Sequence, residues 1–305
     1  MVRPPERCSK MFAIEDTYIQ FLKARKGQRV YLKPYWGNSG DSLIWMGNEV
    51  ILRELGLLQV LDPKKADFIL WPGGNPTMYT GNLDGWQECW ESFPETEFVV
   101  APATFQGEGL NWRELLQQSK ARLGGLFARD PESYQNLLGL GLSPKVVIGL
   151  GHDPAFSLRN TEWIESHRNA STSEYVLACF RGDRESAFKR PVESKTFEFW
   201  PLTSLRFRIL KYRRERYFFK RLEAVKRISQ SSNVLESDVA NMSFQFFVET
   251  VRRASEIHTD RLHCMILALL LGKKVYAYTT AYAKLESVYE HSIKTWSAVQ
   301  FVKTS

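Results

Sequence analysis

Arg261 and His263 stand two residues apart in Thr259-Asp-Arg-Leu-His263, at the start of an apolar stretch from Leu262 to Leu271. A guanidinium fork matches a carboxylate or a phosphate. An imidazole can give and take a proton near neutral pH. At the entrance to a buried helix an anion would also meet free main-chain N–H groups. A pair of arginines, Arg181 and Arg184, follows the apolar run ending at Phe180 and offers the same anion chemistry. Plainer readings stand beside these: a salt-bridged arginine with a capped histidine in the first case, and a surface turn with ion pairs in the second. Metal chemistry is not indicated. His258 and His263 are five apart, and no HExxH pattern occurs.

Three loops nearer the N-terminus are candidates of another kind. In Gly37-Asn-Ser-Gly-Asp41, Asn38 and Asp41 either cap the following helix or face a ligand. In Pro72-Gly73-Gly74-Asn75 the paired glycines let a main chain approach a substrate closely, or simply make a turn. Gly151-His152-Asp153-Pro154 is a turn former, with an imidazole that could act as acid or base. None of the three is a Walker loop or a dinucleotide fingerprint.

The elements that must carry these loops read as alternating strands and helices. Strands are expected at Arg29–Leu32, Asp67–Trp71, Glu97–Ala101, Leu126–Arg129 and Lys145–Ile148, with helices at Leu43–Leu55, stopped by Gly56, and at Ser133–Leu138. Leu158 to Ser173 is polar and patternless and marks the domain boundary, giving domains 1–160 and 161–305. The second domain opens with the strand Glu174–Phe180. It continues with helices at Phe244–Ser255 and Leu262–Leu271, a strand at Lys274–Tyr278, and a C-terminal helix beyond Lys284. Strand, loop, helix, strand is the signature of an α/β parallel sheet, whose ligands bind beyond the carboxyl ends of the strands.

Composition agrees with a globular chain: of 305 residues, 44% are hydrophobic and 25% charged, which excludes disordered and coiled-coil classes. The net charge of +7 is local, because Arg206 to Arg227 holds ten Lys or Arg against two acids. That segment carries +8, so the other 283 residues sum to −1. Cys8, Cys89, Cys179 and Cys264 are scattered and form neither a zinc ligand set nor a disulfide framework. The first twenty residues lack the apolar core of a secretory signal, and the longest apolar run falls far short of the ~20 residues of a membrane span. A cytoplasmic location is expected.

Taken in order, the loops resemble the polysaccharide pyruvyl transferase family. The matching elements are Asn38-Ser-Gly-Asp41, Asp67 to Gly74, Phe127-Ala-Arg-Asp130, Asp153-Pro-Ala-Phe156, Phe180-Arg181, Thr259-Asp-Arg-Leu-His263, and Tyr282 with Lys284. The resemblance spans about residues 29–290, and Arg-Leu-His is its distinctive element. It implies two Rossmann-like domains facing a central cleft, a GT-B-like arrangement. It also implies phosphoenolpyruvate as donor, with no cofactor and no metal, and a glycan or glycolipid acceptor that receives a pyruvate ketal. On this reading His263 is the general acid and base, and Arg181 and Arg261 hold the donor's carboxylate and phosphate. Arg184 and Lys284 add cationic contacts. Asn38, Asp41, Gly73, Gly74 and Asp153 line the substrate site from the first domain.

The region from Phe199 to Arg227 departs from the family pattern as a basic, aromatic-interleaved insertion. It reads either as a solvated helix face or as a surface for anionic membrane or an anionic, lipid-linked glycan, which would place the protein at the inner face of the membrane. Two other functions compete: a GT-B glycosyltransferase using a nucleotide sugar, and a nucleic-acid-binding protein acting through the basic segment. The second is disfavoured because no recognised nucleic-acid module accompanies the charge.

Overall fold

The computed structural model describes residues 16–34, 37–78, 80–106, 111–119, 121–181, 219–238, 242–279, 284–294 and 299–303. The chain forms two compact units, Met1–Ile164 with Ser287–Thr295, and Glu165–Glu286 with Trp296–Ser305.

The first unit is built on a six-stranded sheet of β1 (Arg29–Leu32), β2 (Leu58–Gln59), β3 (Phe68–Trp71), β4 (Glu97–Ala103), β5 (Leu123–Ala128) and β6 (Val147–Leu150), in the order β2-β1-β3-β4-β5-β6. Every pairing is parallel. A parallel sheet is covered on both faces, so its central strands are apolar throughout. In β3, Phe68 and Leu70 join one core with Val30, Ile51 and Phe127, while Ile69 and Trp71 join the other with Trp86, Phe98 and Leu126. The helices are α1 (Thr17–Lys23), α2 (Asp41–Leu55), α3 (Thr80–Ser92), α4 (Trp112–Gln118) and α5 (Pro131–Leu138). Gly56 ends α2 with φ +74, the left-handed cap expected from its position. Within α2, Gly47 lies so close to the 3-10 turn Pro154–Asn160 that a Cβ there would sit 2.0 Å from the Pro154 carbonyl oxygen.

The second unit carries a five-stranded parallel sheet of β7 (Tyr175–Cys179), β8 (Val234–Glu236), β9 (Ala254–Thr259), β10 (Lys274–Tyr278) and β11 (Val299–Val302), in the order β11-β10-β9-β7-β8. Its helices are α6 (Glu162–Asn169, whose last residues fall in this unit), α7 (219–229), α8 (Phe244–Arg253) and α9 (Leu262–Leu270). α9 is apolar all round because nearly every side chain in it is buried. A further helix, α10 (Lys284–Ser292), begins in this unit and ends in the first.

The expected α/β class of two Rossmann-like parallel sheets is therefore what the chain adopts. Local readings differ in places. The stretch Leu158 to Ser173, patternless in sequence, contains α6, and the tail holds the strand β11 beyond its helix. α1, α3, α4 and β2 carry no clear local signal.

In each sheet the first strand lies between the second and the third. The connections leave it in opposite directions, and that reversal opens a crevice at the carboxyl ends of the first and third strands. In the first unit these are β1 and β3; in the second they are β7 and β9.

Candidate active site

Both flanks of the second crevice carry a predicted cation. Arg181 lies two residues past β7, and Asp260 and Arg261 follow β9 directly. The two loops are stitched together by main-chain and side-chain bonds. The Arg181 N–H donates to Asp260 Oδ1 at 2.7 Å. The Thr259 hydroxyl donates to the Cys179 carbonyl at 2.7 Å and accepts from the Arg261 N–H at 3.0 Å.

Arg261 is 9% exposed and caps α9 through its main chain, with no side-chain cap bond. Its Nη2 meets Asp238 Oδ1 at 2.5 Å. Its Nε is buried and has no hydrogen-bond partner among the described residues. A buried donor left unmet in a folded protein calls for an explanation, and a bound anion supplies one. His263 is the second residue of α9 and partly exposed, so its imidazole stands at the same helix entrance. Arg184 and Tyr282 lie outside the described residues, and Lys284 is the first residue of α10.

The sequence does not single out four further charged residues at this crevice. Asp260 is 1% exposed and holds the Arg181 amide. Asp238, two residues past β8, pairs with Arg261. Arg221 on α7 is 9% exposed; it forms an ion pair with Glu236 at the end of β8 and donates to the Arg181 carbonyl at 3.2 Å. Burial holds the Glu236 carboxyl above its ordinary range, with Arg221 opposing the shift. The only local signal for these acids is their position at strand ends.

In the first unit, Asn38 and Asp41 follow β1. Asp41 Oδ2 accepts from the Asn38 N–H at 2.8 Å, and Asn38 Oδ1 accepts from the Gly40 N–H at 2.8 Å, so the two side chains fold the turn that begins α2. Gly73 and Gly74 follow β3 with φ +108 and +89. A Cβ on Gly73 would lie 2.5 Å from the Pro102 carbonyl oxygen, so both space and dihedral demand glycine there. Asn48, fully buried on α2, donates from Nδ2 to the Pro72 carbonyl at 2.8 Å and sets the start of this loop. Asp153 is also fully buried: Oδ2 takes Arg129 at 2.7 Å and Oδ1 takes the Ala155 N–H at 3.0 Å. The resemblance elements around Arg129 and Asp153 are thus one structural unit.

Among the described residues no group of three or more His, Cys, Asp or Glu gathers in a way that could hold a metal ion. Cys89, Cys179 and Cys264 are buried and form no disulfide among the described residues. No described helix is long and apolar enough to cross a membrane.

The fold is that of an α/β protein with cationic side chains at the carboxyl ends of its strands, and comparison with known proteins gives its family. The sequence profile of the family described as polysaccharide pyruvyl transferase matches residues 13–282. The chain belongs to that family, a family of transferases. No curated protein matches it by sequence. Among solved structures, a functionally uncharacterised protein from Klebsiella pneumoniae superposes with a TM-score of 0.61 at 18% identity, over 94% of this chain and 97% of that one. UDP-GlcNAc 2-epimerase from Methanocaldococcus jannaschii superposes with a TM-score of 0.43 at 13% identity, over 90% and 88% of the two chains.

Proposed function

We propose that the protein transfers a pyruvyl group from phosphoenolpyruvate to two hydroxyls of a glycan or a lipid-linked glycan precursor, forming a pyruvate ketal. The observation that carries this reading is the joining of the Arg181 and Arg261 loops through Asp260, with the buried Nε of Arg261 lacking a hydrogen-bond partner among the described residues. Phosphoenolpyruvate has both a carboxylate and a phosphate, and two fixed guanidinium groups suit that pair of anions.

In this scheme His263 protonates the methylene carbon, leaving oxocarbenium character at C2. One sugar hydroxyl adds to C2, the C2–O bond to phosphate breaks, and the second hydroxyl closes the ketal. Of the two hydroxyl protons lost, one replaces the proton given to the carbon and the other leaves with phosphate. Arg181 and Arg261 stabilise charge on the departing group, a term that is large when the donors are fixed beforehand. In the first unit, Asn38, Asp41, Gly73 and Gly74 are further candidate substrate contacts, and Asp153 is a structural residue instead, because its carboxylate is held by Arg129.

Phosphate release from phosphoenolpyruvate, followed against a panel of glycans, tests the assignment. Acceptor-dependent release is expected. No release with any glycan, together with thermal stabilisation by a nucleotide sugar, would replace it with a glycosyltransferase.

We further propose a cytoplasmic enzyme that meets anionic membrane or anionic glycolipid through its basic segment. Residues 206–218 of that segment lie outside the described residues; of the remainder, Phe219 is 61% exposed and Lys220 is exposed beside it. Each Lys or Arg near such a surface contributes about 1 kcal/mol. Sedimentation with anionic but not neutral liposomes is expected, and equal binding by a charge-neutralised variant would sink the idea.

A further inference from the structure

One member of the basic run turns inward. On α7, Arg221 and Val225, one turn apart, are buried, while Phe219, Lys220, Glu223, Lys226 and Arg227 are exposed. A buried guanidinium has five donors to satisfy and is seldom tolerated without fixed partners. Nη2 of Arg221 forms an ion pair with Glu236, whose side chain is 10% exposed, and Nη1 donates to the main-chain carbonyl of Arg181 at 3.2 Å. The guanidinium also stands 5.7 Å from the centre of the Phe180 ring, against the residue that precedes Arg181.

The main chain of Arg181 is therefore held from both sides. Asp260 takes its N–H and Arg221 supplies a donor to its C=O. Because the fork is planar, anchoring one nitrogen on Glu236 sets the direction of the other, which an ammonium cannot do. Glu236 is itself in a costly position: its Oε2 is buried with no hydrogen-bond partner among the described residues, and burial and nearby Asp238 both raise its carboxyl pKa. Structural economy alone would favour an apolar pair at this place.

We propose that Arg221, anchored by Glu236, is a positioning residue that fixes the Arg181 main chain and so aims the Arg181 guanidinium at the donor's anionic group. This rests on the reading of Arg181 as a donor contact. A cation of the basic segment thereby belongs to the reaction centre and not to the outer surface.

Two variants separate positioning from mere packing. Arg221→Met with Glu236→Met removes both charges together, a replacement that commonly leaves the fold intact. Arg221→Lys keeps a charge opposite Glu236 but cannot reach both acceptors in one geometry. The probe is inorganic phosphate, titrated calorimetrically into each folded protein, alongside kinetics with phosphoenolpyruvate. Both variants should weaken phosphate binding in parallel with Arg181→Ala and raise the KM for phosphoenolpyruvate about tenfold to a hundredfold, the scale of a misplaced binding group. Folded variants that bind phosphate as the wild type does would overturn the proposal, as would wild-type protein that binds no phosphate. If phosphate binding falls as expected but no glycan supports phosphate release, the positioning role stands and the pyruvyl-transfer reading fails.

Discussion

Arg129 and Asp153 meet at 2.7 Å with side chains 1% and 0% exposed, and the same guanidinium donates from Nε to the Thr104 hydroxyl at 2.9 Å. One buried arginine thus binds together the carboxyl-terminal ends of three neighbouring strands, β4, β5 and β6. Breaking such a pair leaves a charge buried alone, which costs about 3–5 kcal/mol. Arg129→Met and Asp153→Ala should each lower unfolding stability by that amount in chemical denaturation. A loss below about 1 kcal/mol, the value of an exposed pair, would show that water screens the site.

His263 lies in the first turn of α9 and is partly exposed. His263→Ala should keep the fold, read by circular dichroism, and slow transfer by about a hundredfold or more, the usual weight of a general acid or base. Near-normal turnover would remove it from the mechanism. Arg261→Lys keeps the charge but loses the fork that reaches Asp238, so kcat/KM should fall although the net charge is unchanged.

Gly47 offers a purely steric test. With the Pro154 oxygen 2.0 Å from the site of a Cβ, Gly47→Ala must push α2 away from the turn Pro154–Asn160. Overpacking of this kind costs about 1–3 kcal/mol and should appear as a lower Tm. An unchanged Tm would mean that the two elements are not in contact in solution.

The stability of the first unit should depend on pH through two histidines. His152 and His291 stack with ring centres 4.7 Å apart, His152 Nδ1 lies 2.8 Å from the Ser292 hydroxyl, and His291 Nε2 lies 3.2 Å from the Gly151 carbonyl. Burial lowers both imidazole pKa values, and His152 lowers that of His291 further, with the Gly151 carbonyl, Asp16 and Asp130 opposing. The folded state then binds fewer protons than the unfolded chain, so this stability is present above the unfolded value of about 6.5 and is lost as pH falls through the lower folded values. Tm should drop between neutral pH and pH 5. His291→Phe, which keeps a ring but cannot titrate, should flatten that slope; an unaltered slope would clear the pair of any part in it. In the second unit, His258, lowered by burial with Glu256 opposing, gives a slope of the same sign. Asp16, raised by burial, acts in the opposite sense at lower pH.

What could be read from the sequence follows the range of the forces involved. β3, the cap at Gly56 and the apolar α9 are set by residues adjacent in the chain, so Phe68–Trp71, Leu55-Gly56 and Leu262–Leu271 announce them. α3 does not announce itself, because Gly81 and Gly85 weaken the helical pattern and the helix is held by Trp86 packing against Trp71, Phe98 and Phe105. The same division holds at the site. Arg181 and Arg261 are legible as cations at strand ends. Asp260 and Arg221 act on Arg181 across 79 and 40 residues of chain, and Asn48 reaches Pro72 across 24, distances at which only the fold supplies the partner. Arg221 in particular is one of ten cations in a run, and nothing local marks the one that turns inward.

Because Ser287–Thr295 groups with the first unit, the order of synthesis and the order of completion part company. The N-terminal unit emerges first from the ribosome, yet His291 and Ser292, which meet the Gly151-His152 turn, come about 140 residues later. Domains commonly fold as they are made; here the turn at Gly151-His152 gains these contacts only after about 140 further residues have been translated.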